Sequence, residues 1–304
     1  MKRLHCLITP FPLAVNYFFE ETLACFFYIC FMISFPNAKI NIGLYVTEKR
    51  PDGFHNLETV FYPVGWCDML EFTVAQELSF TASGILISGD PENNLVMKAY
   101  RLLQKDFLLP PLKIHLHKQI PFGAGLGGGS SDGAFMLKML NKTFDLNLSE
   151  EKLVEYAAIL GSDCPFFILN KPVFATGRGE SMNIINISLN GWYVFLVKPP
   201  IEVSTAKAFQ FIKPQKTSAS LPESLQLPVQ NWKYSVVNQF ESSVFQQFPE
   251  IGYIRQKLYE LGAEYASMSG SGSSVFGIFR QIPEGIEKQF PAPFLTFSKR
   301  LDFH

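Results

Sequence analysis

Between Leu112 and Leu140 the chain passes from an alternating segment into a run where five of the seven residues from Gly123 to Gly129 are glycine. It leaves that run through Ser130, Ser131, Asp132 and Gly133 into an apolar stretch, Ala134 to Leu140, that predicts a helix. Leu112, Ile114 and Leu116 fall on one side of the alternating segment and Lys113, His115 and His117 on the other, the period of a strand. Glycines held in a fixed structure cost backbone entropy, and the usual return is close approach of N–H groups to an anion at a helix N-terminus, where the dipole favours negative charge. Ser130 and Ser131 add hydroxyls suited to a phosphate oxygen or a metal-bound water. A flexible linker is the plain alternative, but linkers are not normally set between a strand and a helix. His115 and His117 have no third ligand at useful spacing, so they read as a solvated strand face rather than a metal site.

The loop lacks the Gly-x-x-x-x-Gly-Lys-Ser/Thr pattern of a P-loop. Gly123, Gly125 and Gly128 satisfy Gly-x-Gly-x-x-Gly literally, yet a dinucleotide fold wants an acidic residue ending a second strand ~20 positions later. Asp145, the nearest candidate, lies in the loop-like Asn141 to Asn147. The His-Arg-Asp and Asp-Phe-Gly companions of protein kinases are also missing.

With 26 Lys+Arg against 27 Asp+Glu in 304 residues, the net charge of -1 offers no field for a polyanion, so no nucleic-acid partner is expected. A 47% hydrophobic and 17% charged composition predicts a globular fold. Cys6, Cys25, Cys30, Cys67 and Cys164 are odd in number and contain no CxxC, which fits a reducing, cytoplasmic location. Residues 1–31 differ from the rest, dense in Phe and Tyr with only Lys2, Arg3, Glu20 and Glu21 as charges. Their apolar run, Leu23 to Ile33, is too short for the ~20 residues of a membrane span, and Glu20 and Glu21 stand where a signal peptide needs a basic end. Met32 is therefore a plausible start, with residues 1–31 an upstream extension or disordered leader; a short anchor or targeting leader is the sharper alternative. No membrane partner is expected.

From Met32 the pattern is mixed. Lys39 to Val46, Leu57 to Val64 and Met69 to Val74 predict strands, with Arg50 to Gly53 as a turn. Asn94 can cap a helix through Phe107, and Ser149 to Leu160 predicts another. Asp163 follows as a lone carboxylate before Cys164-Pro165-Phe166-Phe167, a candidate base and equally a helix N-cap. Lys39, among Ala38, Ile40 and Ile42, is costly to bury unless paired with an anion. Trp192 to Lys198 predicts a strand opening a second half, Pro249 to Leu261 a helix, and Gln215 to Gln230 a surface connection. The domain boundary falls near Met182, giving units 32–182 and 183–304.

Pro121-Phe122-Gly123-Ala124-Gly125-Leu126-Gly127-Gly128-Gly129-Ser130-Ser131 resembles the phosphate loop of the GHMP small-molecule kinases. Pro36 to Leu44 with Lys49 to Thr59, and Ala266 to Phe276, resemble two further motifs of that family, in the right order from Met32 onward. The first of these is similar to the branch that phosphorylates the 2-hydroxyl of 4-diphosphocytidyl-2-C-methyl-D-erythritol in non-mevalonate isoprenoid synthesis. The resemblance implies a two-lobed α+β fold with a ribosomal-protein-S5-like N-terminal lobe and a ferredoxin-like C-terminal lobe. It also implies ATP with Mg²⁺ as co-substrate, no resident metal, Lys39 and Asp163 as catalytic residues, and Pro121 to Ser131 as the ATP loop. Gly270, Ser271 and Gly272 would support that loop. Asn41, Phe54, His55, Thr205 and Phe209 would meet the small-molecule substrate, with Phe54 standing where Tyr is common. Homoserine or mevalonate kinases, which should lack the Arg50 to His55 turn, and a non-catalytic sugar or nucleotide sensor, which has no use for a positioned base, are the alternatives. Monomer and homodimer both stay open.

If Met32 begins the functional unit, residues 32–304 expressed alone should match the full chain in solubility and activity. An insoluble or inactive shorter form would make the leader structural.

Overall fold

The computed structural model describes residues 32–212, 214–215 and 220–302, so the expectations for residues 1–31 lie outside it. The first sheet holds β1 (Met32–Ser34), β4 (Met69–Val74), β6 (Leu112–Lys118) and β5 (Ser79–Gly84) in that order, with only the β5–β6 pair parallel. On it pack α1 (Leu95–Gln104), α2 (Gly128–Thr143), α3 (Glu150–Leu160) and α4 (Cys164–Leu169), enclosing a core that includes Leu112, Ile114, Leu116, Leu137 and Phe166. Asn94 caps α1 by accepting from the Val96 N–H, but the helix stops at Gln104 rather than Phe107. The His115 and His117 face is half-buried rather than open, because Ser83 of β5 lies 3.0 Å from His115 Nε2 and 2.9 Å from His117 Nδ1.

A second, antiparallel sheet has the order β2 (Asn37–Lys49), β3 (His55–Cys67), β7 (Val173–Thr176) and β8 (Ser181–Ile184). The Arg50 to Gly53 turn joins its two long strands. Met182, where the lobes are expected to part, pairs with Ala175 inside β8, and the chain leaves this sheet after Ile184. The third sheet, β10 (Tyr265–Met268), β11 (Val275–Phe279), β9 (Trp192–Lys198) and β12 (Leu295–Leu301), is antiparallel throughout. Its helices include α5 (Thr205–Gln210), α6 (Leu221–Ser224), α7 (Val229–Ser235), α8 (Phe240–Gln247) and α9 (Pro249–Glu260). Among the described residues no helix is long and apolar enough to cross a membrane.

Strand β2 enters two cores because it carries a bulge. Register with β3 shifts between Ile42 and Leu44, and the extra residue, Gly43, takes φ +70° with its carbonyl accepting from the Thr59 hydroxyl at 2.6 Å. Before the bulge Ala38, Ile40 and Ile42 enter the core shared with the third sheet; after it Tyr45 takes that side while Leu44 and Val46 join the core under α8 and α9. On the other face Lys39 and Asn41 are left, buried and polar, against the first lobe.

The expected surface connection Gln215 to Gln230 is a correction. Its few apolar residues are the ones that matter: Leu221, Leu225 and Val229 are buried beside Trp232 in the inter-sheet core. Short segments carry too little periodicity to betray such burial. The Leu221 side chain also fills the space over the bulge, where a Cβ on Gly43 would come within 2.7 Å of its Cδ1. Leu221→Ala should therefore cost about 2–5 kcal/mol in denaturant unfolding. Exposed Tyr234→Ala should stay within ~0.5 kcal/mol; equal effects at the two positions would contradict this packing.

Candidate active site

The glycine loop joins β6 to α2, and the helix begins at Gly128, earlier than the Ala134 expected from its apolar residues. Gly128 to Ser130 thus open its first turn with N–H groups that have no intrahelical partner and no side-chain cap, and Ser131 N–H makes the first helical bond, to Gly127 O at 2.9 Å. Gly123, Gly125 and Gly127 hold positive φ. At Gly125 a Cβ would strike the Ser269 carbonyl, and at Gly127 it would meet the Phe167 ring at 2.9 Å and Lys39 Cγ at 3.2 Å.

Neighbouring chain holds the loop on both sides. Lys39 N–H donates to the Leu126 carbonyl at 2.9 Å, and Ser274 N–H to Ala124 O at 3.2 Å. The Ser269 hydroxyl donates to Gly125 O at 2.7 Å while accepting from Asn41 N–H at 3.2 Å. Asn238 donates to the carbonyls of Met268 and Gly270 at 2.8 and 2.7 Å, fixing the turn Gly270–Ser271–Gly272 against the loop. Below lies a charge cluster. Lys118 Nζ, fully buried, pairs with Asp68 and sits 2.8 Å from Asp132 Oδ2, while Asp68 Oδ1 accepts from Gln119 and Ile120 N–H. Burial pushes the Asp132 carboxyl well above the usual range, against the pull of Lys118.

A cavity of about 450 Å³ opens over the loop, bordered by Lys39, Asn41, Thr59, Asp163 and the Gly270 turn. Asp163 stands at the cap position of α4, yet its side chain makes no cap hydrogen bond and leaves Oδ2 3.6 Å from Lys39 Nζ. Lys39 is buried, donates to Asn41 Oδ1 at 2.6 Å and lies 4.7 Å above the Phe61 ring; burial pulls its pKa down, opposed by Asp163. Asn41 in turn donates to Thr59 at 2.9 Å. The loop side chains divide: Pro121, Phe122, Ala124 and Ser130 border the cavity, Leu126 points into the inter-sheet core, and the Ser131 hydroxyl is buried without a partner.

A second cavity, of about 1020 Å³, adjoins the first and is bordered by Phe54, His55, Thr205 and Phe209. His55 stacks on Phe209 at 4.9 Å between ring centroids, and Phe54 is 55% exposed with the Arg178 guanidinium 5.1 Å from its ring. Ser204 caps α5 and so sets Thr205 at its first turn, 2.9 Å from the Ser271 hydroxyl. The sequence reading thus meets its candidate residues around two connected cavities. It missed Thr59, Asp68, Lys118, Asp132, Arg178, Asn238 and Ser269. Lys118 and Asp132 carried a signal, as charges flanking the glycine run; Asp68 and Asn238 carried none.

The description "GHMP kinases N terminal domain" fits residues 94–171 and "GHMP kinases C terminal" fits residues 228–294. A Bacteroides fragilis protein named 4-diphosphocytidyl-2-C-methyl-D-erythritol kinase is 56% identical over 267 residues, covering 86% of this chain and 97% of its own. A protein of the same name from Chlorobium chlorochromatii is 38% identical over 275 residues, covering 85% and 93%. The solved structure of a 4-(cytidine 5'-diphospho)-2C-methyl-D-erythritol kinase superposes with a TM-score of 0.75 at 28% identity, over 88% of this chain and 98% of that one. A homoserine kinase from Cytophaga hutchinsonii, at 16% identity and a TM-score of 0.58, covering 86% and 93%, shares the fold alone.

A lysine whose pKa falls on folding costs stability while it is charged in both states, and stability recovers only as pH rises through its folded value toward its unfolded one. At pH 7 that cost is present. Lys39→Met keeps the packing of the stem and removes the buried charge, so its melting temperature at pH 7 should equal or exceed the parent's. A drop of several degrees would mean the Asp163 and Asn41 contacts outweigh desolvation.

Proposed function

The chain belongs to the GHMP kinase family, and we propose that it is the kinase of 4-diphosphocytidyl-2-C-methyl-D-erythritol, with ATP as phosphoryl donor and the 2-hydroxyl as acceptor. It is a small-molecule kinase, a phosphotransferase acting on an alcohol. The observation that carries the substrate is the joining of two cavities: one bordered by the glycine loop with Lys39 and Asp163, the other by aromatic rings and large enough for a nucleoside. Relatives at 46–57% identity bearing that substrate in their names support the same reading.

The loop fits a polyphosphate. Its uncapped first turn, its positive-φ glycines and the partnerless Ser131 hydroxyl suit an anion drawn against the backbone. ATP, with Mg²⁺ offsetting charge on its phosphates, supplies the phosphoryl group. Asp163 takes the proton from the acceptor hydroxyl as the new oxygen–phosphorus bond forms, a contribution of roughly 10²- to 10⁴-fold. Lys39, 3.6 Å from Asp163, offsets charge at the reacting centre. Asn41 orients both Lys39 and the acceptor, Phe54 and Phe209 offer faces for the cytosine, and His55 and Thr205 polar contacts. Gly270, Ser271 and Gly272 brace the loop. The cysteine usage supports a cytoplasmic location.

Asp163→Asn should lose most of kcat while binding ATP and the cytidine substrate with near-normal affinity. Gly127→Val should instead impair ATP binding, since a side chain there meets Phe167 and Lys39 in a strained backbone. Steady-state kinetics with equilibrium nucleotide binding separate the two; an Asp163→Asn enzyme within a few-fold of parental kcat sends the proton elsewhere.

A further inference from the structure

Arg178 has no role in the reaction so far described, yet its place is fixed by the fold. It sits at the tip of the β7–β8 hairpin between Gly177 and Gly179, both at positive φ (+68° and +105°). The Gly179 N–H closes the turn on Thr176 O at 3.0 Å. Leu57 N–H donates to Gly177 O at 2.7 Å and ties the tip to β3 at the mouth of the nucleoside cavity. From there the side chain borders both cavities, and among the described residues it is the one Lys or Arg that does so. Lys39 borders the transfer cavity alone and Lys49 the nucleoside cavity alone.

The guanidinium is presented but not consumed. Its Nε lies 3.6 Å from Glu180 Oε1, in a pair whose side chains are 46% and 39% exposed. Such an exposed, loosely spaced pair is worth little and is screened by salt. Glu180 is also anchored by the Arg178 backbone N–H, at 2.5 Å to Oε2. The Phe54 ring backs the guanidinium at 5.1 Å, which restricts its swing and leaves its N–H edge free to turn toward the junction.

The geometry points to Arg178 as the residue that recognises the diphosphate bridge of the substrate, and so as a determinant of specificity for a nucleoside diphosphate ester over an uncharged alcohol. This rests on the substrate reading above. A substrate with its base among Phe54, His55 and Phe209 and its hydroxyl at Asp163 must carry its diphosphate across the boundary between the two cavities. Two negative charges crossing there meet Arg178, whose planar fork can engage phosphate oxygens in a bidentate way. Glu180 then gives up its weak hold on the guanidinium without being left buried. Arg178 binds and positions; no proton or phosphoryl group passes through it.

The test compares cytidine with CDP by calorimetry on the full chain, with the ATP site saturated by a non-hydrolysable ATP analogue. The parent should bind CDP more tightly than cytidine. Arg178→Gln should weaken CDP by about 10- to 100-fold, the loss expected for hydrogen bonds to a charged partner, and leave cytidine within two-fold. Arg178→Lys should restore only part of the loss. In kinetics, Arg178→Gln should raise KM for the cytidine diphosphate substrate and leave KM for ATP unchanged, with kcat little altered. Unchanged CDP affinity, or equal losses for CDP and cytidine, would overturn this role alone and make Arg178 a mere support for Phe54. A parent protein that binds neither ligand would remove the substrate reading and this inference with it. Arg178 is exposed on a turn, so unchanged melting temperatures serve as the folding control.

Discussion

One hydroxyl holds the site together. Ser269 Oγ accepts from the backbone of Asn41 and donates to the backbone of Gly125, and so joins strand β2, the glycine loop and the turn between β10 and β11 at one buried point. A single hydrogen bond contributes only about 1 kcal/mol net, but a buried donor or acceptor left without its partner costs about 1–3 kcal/mol. Losing Ser269 would orphan a group on each side. The bond therefore acts less as glue than as a constraint on distance: the loop lies where Asn41 and the turn both reach it. Gly125 is glycine because the Ser269 carbonyl occupies the space a side chain would need.

The underside of the loop is set by charge. Lys118, Asp68 and Asp132 form a fully buried group of one cation and two carboxylates, with Asp68 also receiving two backbone N–H groups at the end of β6. Removing the lysine would leave two acids facing one another without water, whereas replacing all three with apolar residues could leave stability intact. What such a swap would forfeit is the bend after β6 that aims the glycine run across the mouth of the cavity. Asp132 keeps one oxygen without a partner, in line with the upward shift of its carboxyl.

Much of this was legible in the sequence, for identifiable reasons. Alternation gave β6, a capping Asn gave the start of α1, and the density of glycine demanded an anion-facing turn at a helix. What local pattern could not show was pairing at a distance. Asp163 read equally as a cap or a base, and only the approach of Lys39 from another sheet separates a carboxylate that caps nothing from one that does. Asp68 and Asn238 are unremarkable in their own neighbourhoods and matter through residues some 50 and 30 positions away. Leu221 was hidden by the polar residues around it. The first turn of α2 was misplaced because glycines are poor helix formers, and tertiary contacts supply what propensity withholds.

The bulge at Gly43 works as a parity switch. Because side chains alternate along a strand, one inserted residue exchanges inside for outside beyond it, and β2 contributes to separate cores above and below that point. Neither lobe then owns the strand. A cut between the second and third sheets would take Ile40 and Ile42 from the core they share with Val194 and Leu196, and Leu44 and Val46 from the one they share with Phe195 and Val197. The two lobes distinguished by topology accordingly meet along one strand, whose successive stretches are buried in separate cores.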